Sequence, residues 1–257
     1  MFGTTHAAAT DLGLLRDNNE DAIFASAELG LWIVADGMGG HAAGEVASAL
    51  AIDCIKAQIN LGRPLAEAIQ LAHRAIVDAA NNGVGGHGMG STVVALSNRG
   101  DDYEICWVGD SRAYLYQKAS ANGDEDFRQL STDHSYVQML YQNGAISEDE
   151  LATHPERNII TQCLGSVDLQ HLKVDQVVGS WHKDMRILLC SDGLSDVVDA
   201  HKIKHVLASA RSPDAACRQL ISAALDSGGK DNVSVAVIET PSLMQKLVSR
   251  CRNALQR

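Results

Sequence analysis

The chain has 257 residues, of which 46% are hydrophobic and 21% charged, as expected for a globular protein with a sizeable core. Its 21 basic and 32 acidic residues give a net charge of −11, which argues against nucleic acid as the main partner. There is no apolar run approaching 18 residues and no basic leader with an apolar core, so neither a membrane span nor a signal peptide is predicted.

The first half of the chain predicts strands, then two helices, then more strands. Helices are expected over residues 45–60 and in a segment opened by Pro64, because apolar residues recur there at helical spacing. The turn at residues 109–112 is interpreted as the tip of a hairpin. The expected strands in this half are 22–27, 30–35, 92–97, 103–108, 113–117 and 127–130.

Residues 133–165 interrupt this pattern and are interpreted as a flap inserted between strands. Short helices are expected at 135–143 and 148–153, the second with Ser147 and Glu150 spaced as a capping box.

After the flap, strands return at 172–178 and 186–190, and helices follow at 201–209 and 213–226. The second of these helices has Ser212 at its N-cap. A last strand alternates valines from residue 233 onwards. Two pairs of helices around many antiparallel strands predict an α+β fold, with helices packed on a two-sheet core.

We assign residues 1–240 to this domain and 241–257 to an amphipathic basic tail. The tail places leucines at 243, 247 and 255 on one face, with Lys246, Arg250 and Arg252 on the other. Two interpretations remain open: the tail packs against its own domain, or it docks on a partner or on anionic lipid.

The six cysteines form no C-x-x-C pair, and most of them lie in apolar patterns. We therefore expect reduced core cysteines in a cytoplasmic protein.

Acidic turns follow or precede several apolar segments. The run Leu31 to Ala35 is typical of a strand buried on both faces and leads into Asp36-Gly37. Any one such pair could be only a turn. Five together favour a site for a hard divalent cation, and no His/Cys cluster offers a zinc alternative. The five pairs are Glu20-Asp21, Asp36-Gly37, Gly109-Asp110, Asp192-Gly193 and Asp231-Asn232.

The motifs around these acids resemble those of bacterial metal-dependent serine/threonine protein phosphatases of the PPM (type 2C) family. They occur in family order from residue 13 to residue 238. The matching segments are Arg16-x-x-Asn19-Glu20-Asp21-Ala22, Ala35-Asp-Gly-Met-Gly-Gly-His41, Gly88-Met-Gly-Ser-Thr92, Val108-Gly-Asp-Ser-Arg112, Asp133-His134-Ser135, His154-x-x-x-Asn158-x-Ile160-Thr161, Leu164-Gly165, Ser191-Asp-Gly-Leu-Ser-Asp196 and Asp231-Asn-Val-Ser234.

The resemblance implies an αββα four-layer sandwich: two central, mostly antiparallel sheets flanked by helix pairs. It also implies two Mn²⁺ or Mg²⁺ ions at one end of the sheets, with a third bound weakly. Asp36 would bridge both ions, with the Gly37 carbonyl as a further ligand. The expected metal residues are Glu20, Asp21, Asp36, Gly37, Asp192 and Asp231, and the third position would use Asp110, Asp192 and Asp196.

The implied activity is hydrolysis of phosphoserine and phosphothreonine in proteins by a water or hydroxide that bridges the two metals. Arg16 matches the residue that holds the substrate phosphate. Some relatives carry a histidine directly after Asp-Gly as the leaving-group acid. Met38 stands there in this chain, so His41 is the candidate for that role, and a metal-bound water is the alternative.

The expected partners are phosphorylated Ser/Thr proteins and a cognate bacterial Ser/Thr kinase system, and a monomer is expected. Two alternatives have the same fold: a pseudophosphatase that only binds, or a metal-dependent phosphohydrolase of small molecules. Pseudophosphatases usually lose metal ligands, whereas every ligand position is filled here.

Overall fold

The computed structural model describes residues 4–39, 43–119, 124–167 and 172–240. The strands are β1 Thr5–Asp11, β2 Asp21–Ser26, β3 Leu31–Met38, β4 Gly90–Ser91, β5 Val93–Arg99, β6 Asp102–Val108, β7 Arg112–Gln117, β8 Asp126–Gln129, β9 Asp175–Ser180, β10 Met185–Cys190 and β11 Val233–Glu239. The helices are α1 Ala43–Asn60, α2 Leu65–Asn81, α3 Tyr136–Gln142, α4 Glu148–Leu151, α5 Asp192–Ser195, α6 Ala200–Ser209 and α7 Pro213–Asp226.

The strands form two antiparallel sheets, and the expected α+β sandwich is confirmed. One sheet has the order β1-β11-β10-β7-β8, and the other has the order β2-β3-β5-β6-β9, with β4 paired to β3. The two sheets face each other across an apolar layer that includes Trp32, Leu96 and Trp107 from one sheet and Leu189 and Ile238 from the other. The layer fixes how the ends of the two sheets meet.

A helix pair covers the outer face of each sheet. Helices α1 and α2 bury Ile55, Ile69 and Ile76 against the sheet that contains β3. Helices α6 and α7 bury Ile203 and Leu220 against the other sheet. Residues 31–35 are fully buried because β3 lies between helices on one face and the second sheet on the other.

The predicted helices and caps are largely confirmed. Ser212 accepts a hydrogen bond from the N–H of Ala215 at the start of α7, with Pro213 at the first helical position. In the flap, the capping box of Ser147 and Glu150 is present at α4. Across the helices of the described ranges, no segment is both long enough and apolar enough to cross a membrane.

The expected hairpin at residues 109–112 is wrong. β6 and β7 do not pair with each other, because this turn carries the chain from one sheet to the other. In the sequence, two apolar strands joined by a tight turn look the same whether they pair as a hairpin or belong to different sheets. Only the strands with which each of them pairs distinguish the two arrangements. As a result, Asp110 lies between the sheets rather than at an exposed tip.

Two segments near the N-terminus differ from the sequence interpretation. Residues 5–11, which are small and polar, form strand β1 along β11. β3 continues through Asp36 and Gly37 instead of ending before them. His41 and the tail 241–257 lie outside the described residues, so the expectations for both remain predictions.

Candidate metal centre

The sandwich brings the expected acidic residues of the described chain to one end. Asp21 and Asp36 are directly paired on the antiparallel strands β2 and β3. Asp110 lies in the crossing from β6 to β7, Asp192 opens α5 directly after β10, and Asp231 precedes β11. The carboxyl groups of these five residues, which lie on strands of both sheets or in the turns beside them, are therefore at the same end of the sandwich.

Burial and mutual repulsion make these carboxyls hard to ionise. The pKa of Asp36 lies well above its usual value because the group is desolvated, and Asp192 and Asp21 add like charge. Burial raises the pKa of Asp21 to about 7, with Asp192 contributing repulsion. The pKa of Asp110 is raised to about 8 by burial and by the charges of Asp192 and Asp133. Burial is the main cause that raises the pKa of Asp192 to about 6, and the negative charge of Asp196 is the second.

Short polar side chains hold the acids in place across the two sheets. Ser191, after β10, donates its hydroxyl to Asp21 Oδ2 at 2.8 Å, and its oxygen accepts the N–H of Ser234 at 3.0 Å. Thr92 Oγ1 accepts the N–H of Asp36 at 3.1 Å and lies 2.7 Å from Ser111 Oγ. These residues are in the matched motifs, yet the sequence assigned them no role, because nothing in a single sequence shows which small hydroxyl faces which acid.

Asn232 connects the loops that carry Glu20 and Asp231. Its Oδ1 accepts the N–H of Glu20 at 2.8 Å, and its Nδ2 donates to the carbonyls of Leu12 and Asn18 at 2.9 and 3.0 Å. One buried amide thus satisfies three backbone groups in the segment between β1 and β2. The sequence feature that could have indicated this role of Asn232 is its place in the Asp231-Asn232 pair directly before a strand.

Gly37 allows the backbone of β3 to approach α1. A Cβ at residue 37 would lie 2.0 Å from the Gly44 carbonyl oxygen and 2.6 Å from the Glu20 carbonyl oxygen. The N–H of Gly37 donates to Glu20 O at 3.1 Å, and Ser48 donates its hydroxyl to the same oxygen at 2.6 Å. Residue 37 must therefore be glycine for Glu20 to sit against the start of α1.

Arg16 is the cation that contacts Asp231 directly. Its Nη2 donates to Asp231 Oδ2 at 2.7 Å, and both side chains are partly exposed. The hydrogen bond to Asp231 raises the pKa of Arg16, and Asp231, Glu20 and Asp192 add attraction against the cost of burial. Arg16 therefore reaches the acidic cluster with one face open to solvent.

An ion pair and a hydrogen bond hold the start of the flap beside Asp110. Arg112 forms a two-pronged ion pair with Asp133, and the backbone N–H of Gly109 donates to His134 Nδ1 at 3.1 Å. A cavity of about 400 Å³ opens between the flap and the acids, and Asp110, Asp192 and Asp196 all line it. Asp196 lies at the exposed end of α5.

The donor set fits a hard divalent cation. Asp110 Oδ1 and Asp192 Oδ1 are buried without a hydrogen-bond partner, an arrangement that costs free energy unless a cation satisfies it. Within the described ranges, no three His, Cys, Asp or Glu side chains are yet gathered tightly enough to hold an ion. Arg16 occupies one oxygen of Asp231. Cation binding at Asp231 would replace this contact.

The comparisons with known proteins agree with this geometry. The sequence profile described as protein phosphatase 2C matches residues 16–226. The serine/threonine protein phosphatase PstP of Mycobacterium tuberculosis is 36% identical over 241 residues, which cover 91% of this chain and 44% of that protein. The serine/threonine phosphatase stp of Listeria welshimeri is 36% identical over 250 residues, covering 92% and 96%. The chain therefore spans less than half of PstP but nearly all of the Listeria protein.

A solved structure of the PstP catalytic domain in complex with two manganese ions superposes with a TM-score of 0.79 at 33% identity, covering 92% of this chain and 97% of that one. The chain belongs to the protein phosphatase 2C family, and the family expected from the motifs is confirmed.

The raised pKa values predict how stability depends on pH without a divalent cation. An Asp whose folded-state pKa exceeds its unfolded value of about 3.9 stabilises the fold when protonated, and this contribution is lost as pH rises through the folded pKa. The melting temperature in EDTA should therefore fall as pH rises through about 6, 7 and 8, the pKa values of Asp192, Asp21 and Asp110. Thermal melts from pH 5 to pH 9 check this.

Two further thermal melts test whether these acids cause the pH dependence of the melting temperature. Asp110→Asn should flatten the decline at its alkaline end, because the group whose pKa is about 8 is removed. Mn²⁺ should raise the melting temperature more at alkaline than at acidic pH, since protons and cations compete for the same oxygens. A melting temperature in EDTA that is constant or increases with pH would contradict the burial of these acids.

Proposed function

We propose that this chain is a protein serine/threonine phosphatase that works with two divalent cations, Mn²⁺ or Mg²⁺. The observation that carries the proposal is the set of mutually repelling, partly unpaired carboxyls of Asp21, Asp36, Asp110 and Asp192 at one end of the sandwich. When bound, such cations supply Lewis acidity to a phosphoryl group and lower the pKa of water. Of the residues expected at the metal centre, Glu20, Asp36, Gly37, Asp192 and Asp231 would hold the ions, whereas Asp21, which accepts a hydrogen bond from Ser191, would support them. Asp110, Asp192 and Asp196 would serve a third, weaker position.

The residues around the acids bind and orient the substrate. Arg16 is suited to hold two phosphoryl oxygens, because a guanidinium presents two parallel N–H donors to such a group. Its present partner, Asp231 Oδ2, would turn towards the cations, which frees the donor for phosphate. Asp21, which accepts from Ser191, is placed to orient the ligand carboxyls from behind.

A cysteine nucleophile is disfavoured by the surroundings of the cysteines. Each of the five cysteines in the described ranges is free, and burial raises the pKa of each. The pKa values of Cys106 and Cys190 rise to about 12, and that of Cys217 to about 11. Thiols of this kind stay protonated at neutral pH and are poor nucleophiles. We therefore propose direct hydrolysis, without transfer of phosphate to the chain itself.

The proposed substrates are phosphorylated serine and threonine residues of proteins, and the proposed counterpart is a cognate kinase. The flap cavity beside Asp110 and Asp192 has a volume of about 400 Å³, which is large enough for one side chain. The free cysteines support the expected cytoplasmic location.

Asp192→Asn tests the metal requirement. Replacing the carboxylate should reduce kcat on a phosphothreonine peptide in Mn²⁺ about 100-fold or more, because a direct ligand is lost and even an outer-shell partner contributes about 10–100-fold. In EDTA the variant should melt no lower than the unaltered protein, since one repelling charge is gone. Asp53→Asn, at an exposed position of α1, is the matched control and should change neither quantity.

The same assay separates the alternatives. Release of phosphate from the peptide only with Mn²⁺ or Mg²⁺ supports the proposal. A protein that binds the phosphopeptide but never releases phosphate would be a binding module. Turnover of small phosphate esters alone would assign the site to metabolites.

Arg16→Lys tests the phosphate contact. Lysine keeps the charge but cannot donate two parallel hydrogen bonds, so KM for the phosphopeptide should rise about tenfold. Arg63→Lys is the control, because Arg63 forms an exposed ion pair with Glu67 beside α2. An unchanged KM in Arg16→Lys would remove Arg16 from the site.

A further inference from the structure

Three leucines lie exposed in the loop between β1 and β2, next to Arg16. Leu12 is 39% exposed, Leu14 64% and Leu15 70%. Single exposed leucines are ordinary on protein surfaces, but three within four residues form a contiguous apolar edge. We call Leu12, Leu14 and Leu15 the leucine edge.

The backbone beneath the leucine edge is held firmly, so these side chains have little freedom to turn inward. The N–H of Leu14 donates to Gly229 O at 2.7 Å, and the Leu12 carbonyl accepts from Asn232 Nδ2 at 2.9 Å. Gly13, at φ +79°, lies so close to the next loop that a Cβ would be 2.3 Å from the Asp231 carbonyl oxygen. The fold thus fixes the apolar side chains outward rather than leaving them in a loose loop.

The same segment carries the proposed phosphate contact. Leu14 is two residues from Arg16, a span of at most about 7 Å along the chain. Arg16 contacts Asp231, and Asp231 lines a cavity of about 140 Å³ together with Asp192 and Asp196. The apolar edge is therefore continuous with the mouth of the acidic site.

We infer that the leucine edge binds an apolar side chain of the phosphoprotein substrate, two or three residues away from the phosphorylated one. This inference rests on the proposed function. An extended peptide advances about 3.3–3.6 Å per residue, so a phosphoryl group on Arg16 places such a side chain about 7–10 Å away, over Leu14 and Leu15. The edge thereby becomes a determinant of which phosphorylated sequences are accepted.

The net charge of the chain favours a protein segment over a lipid surface. Asp11 and Asp17 flank the leucine edge in the sequence and outweigh no more than the nearby Arg16 and Lys230, but the whole chain carries a net charge of −11. A surface of many anionic headgroups would be repelled by this net charge. A phosphopeptide brings only one anionic group, which Arg16 and the cations receive, and its apolar neighbour meets the leucines.

The test is a panel of phosphothreonine peptides assayed with Mn²⁺. In each peptide, one position two or three residues before or after the phosphothreonine is either leucine or serine. The unaltered protein should prefer a leucine-containing peptide by about tenfold in kcat/KM, the discrimination expected when one apolar side chain is buried. Leu15→Ser should reduce this preference to about twofold or less, and Leu15→Met should retain it.

Leu61→Ser is the matched control. Leu61 is 74% exposed and follows α1, so the length of that helix, about 27 Å, separates it from the end of α1 that contacts Glu20. This variant should keep the full preference.

The outcomes separate the inference from the proposed function. If the unaltered protein hydrolyses every peptide equally well, or if Leu15→Ser keeps the preference, the leucine edge is not a substrate contact. If no phosphopeptide is hydrolysed at all, the proposed function itself fails. A dimer in sedimentation that separates in Leu14→Ser/Leu15→Ser would assign the edge to a second copy of the chain and overturn the inference. The peptide preference of the unaltered protein tests the inference even if a variant does not fold.

Discussion

The repulsion among carboxyl groups at one end of the sandwich is the constraint on which the rest of the structure depends. Two like charges about 4 Å apart cost about 4 kcal/mol at the effective dielectric of a protein surface, a large part of the roughly 5–15 kcal/mol that stabilises a domain. Asp21 and Asp36 face each other on paired strands, and Asp192 approaches both. Only protons or cations offset such a cluster, and above neutral pH protons are scarce. A centre of this kind would bind divalent cations because they offset the repulsion among its own carboxylates.

The two-sheet architecture supplies the force that holds the acids together. The apolar layer around Trp32, Trp107 and Leu189 fixes the sheets face to face, and this layer does not depend on the acids. Ser191 then joins Asp21 across the sheets, and Asn232 ties the Glu20 loop to the start of β11. Each contact uses a short, uncharged side chain, which satisfies a neighbour without neutralising a ligand. The same hydrogen bonds of Asn232 hold the segment that contains Leu12 and Arg16, so the proposed substrate contact and the proposed metal site share one support.

Much of this organisation could be predicted from the sequence, and the rest failed for physical reasons. The buried run from Leu31 to Ala35 and the caps at Ser147 and Ser212 are local patterns, and all were confirmed. The turn at 109–112 was misread as a hairpin because strand pairing is not a local property. β1 was missed since its short polar and alanine side chains carry no strong alternation. The acids were found through motifs, whereas the roles of Ser191 and Asn232 arise only from contacts between segments about 170 and 212 residues apart.

The most direct test of the central claim is anomalous diffraction at the manganese edge from crystals grown with Mn²⁺. We expect two peaks about 3.5–4 Å apart, with the Asp36 carboxylate between them and Asp192 and Asp231 as outer ligands. Arg16 should then be released from Asp231. The absence of a peak at this end of the sheets, or manganese bound only at surface acids such as Asp53, would contradict the two-cation centre.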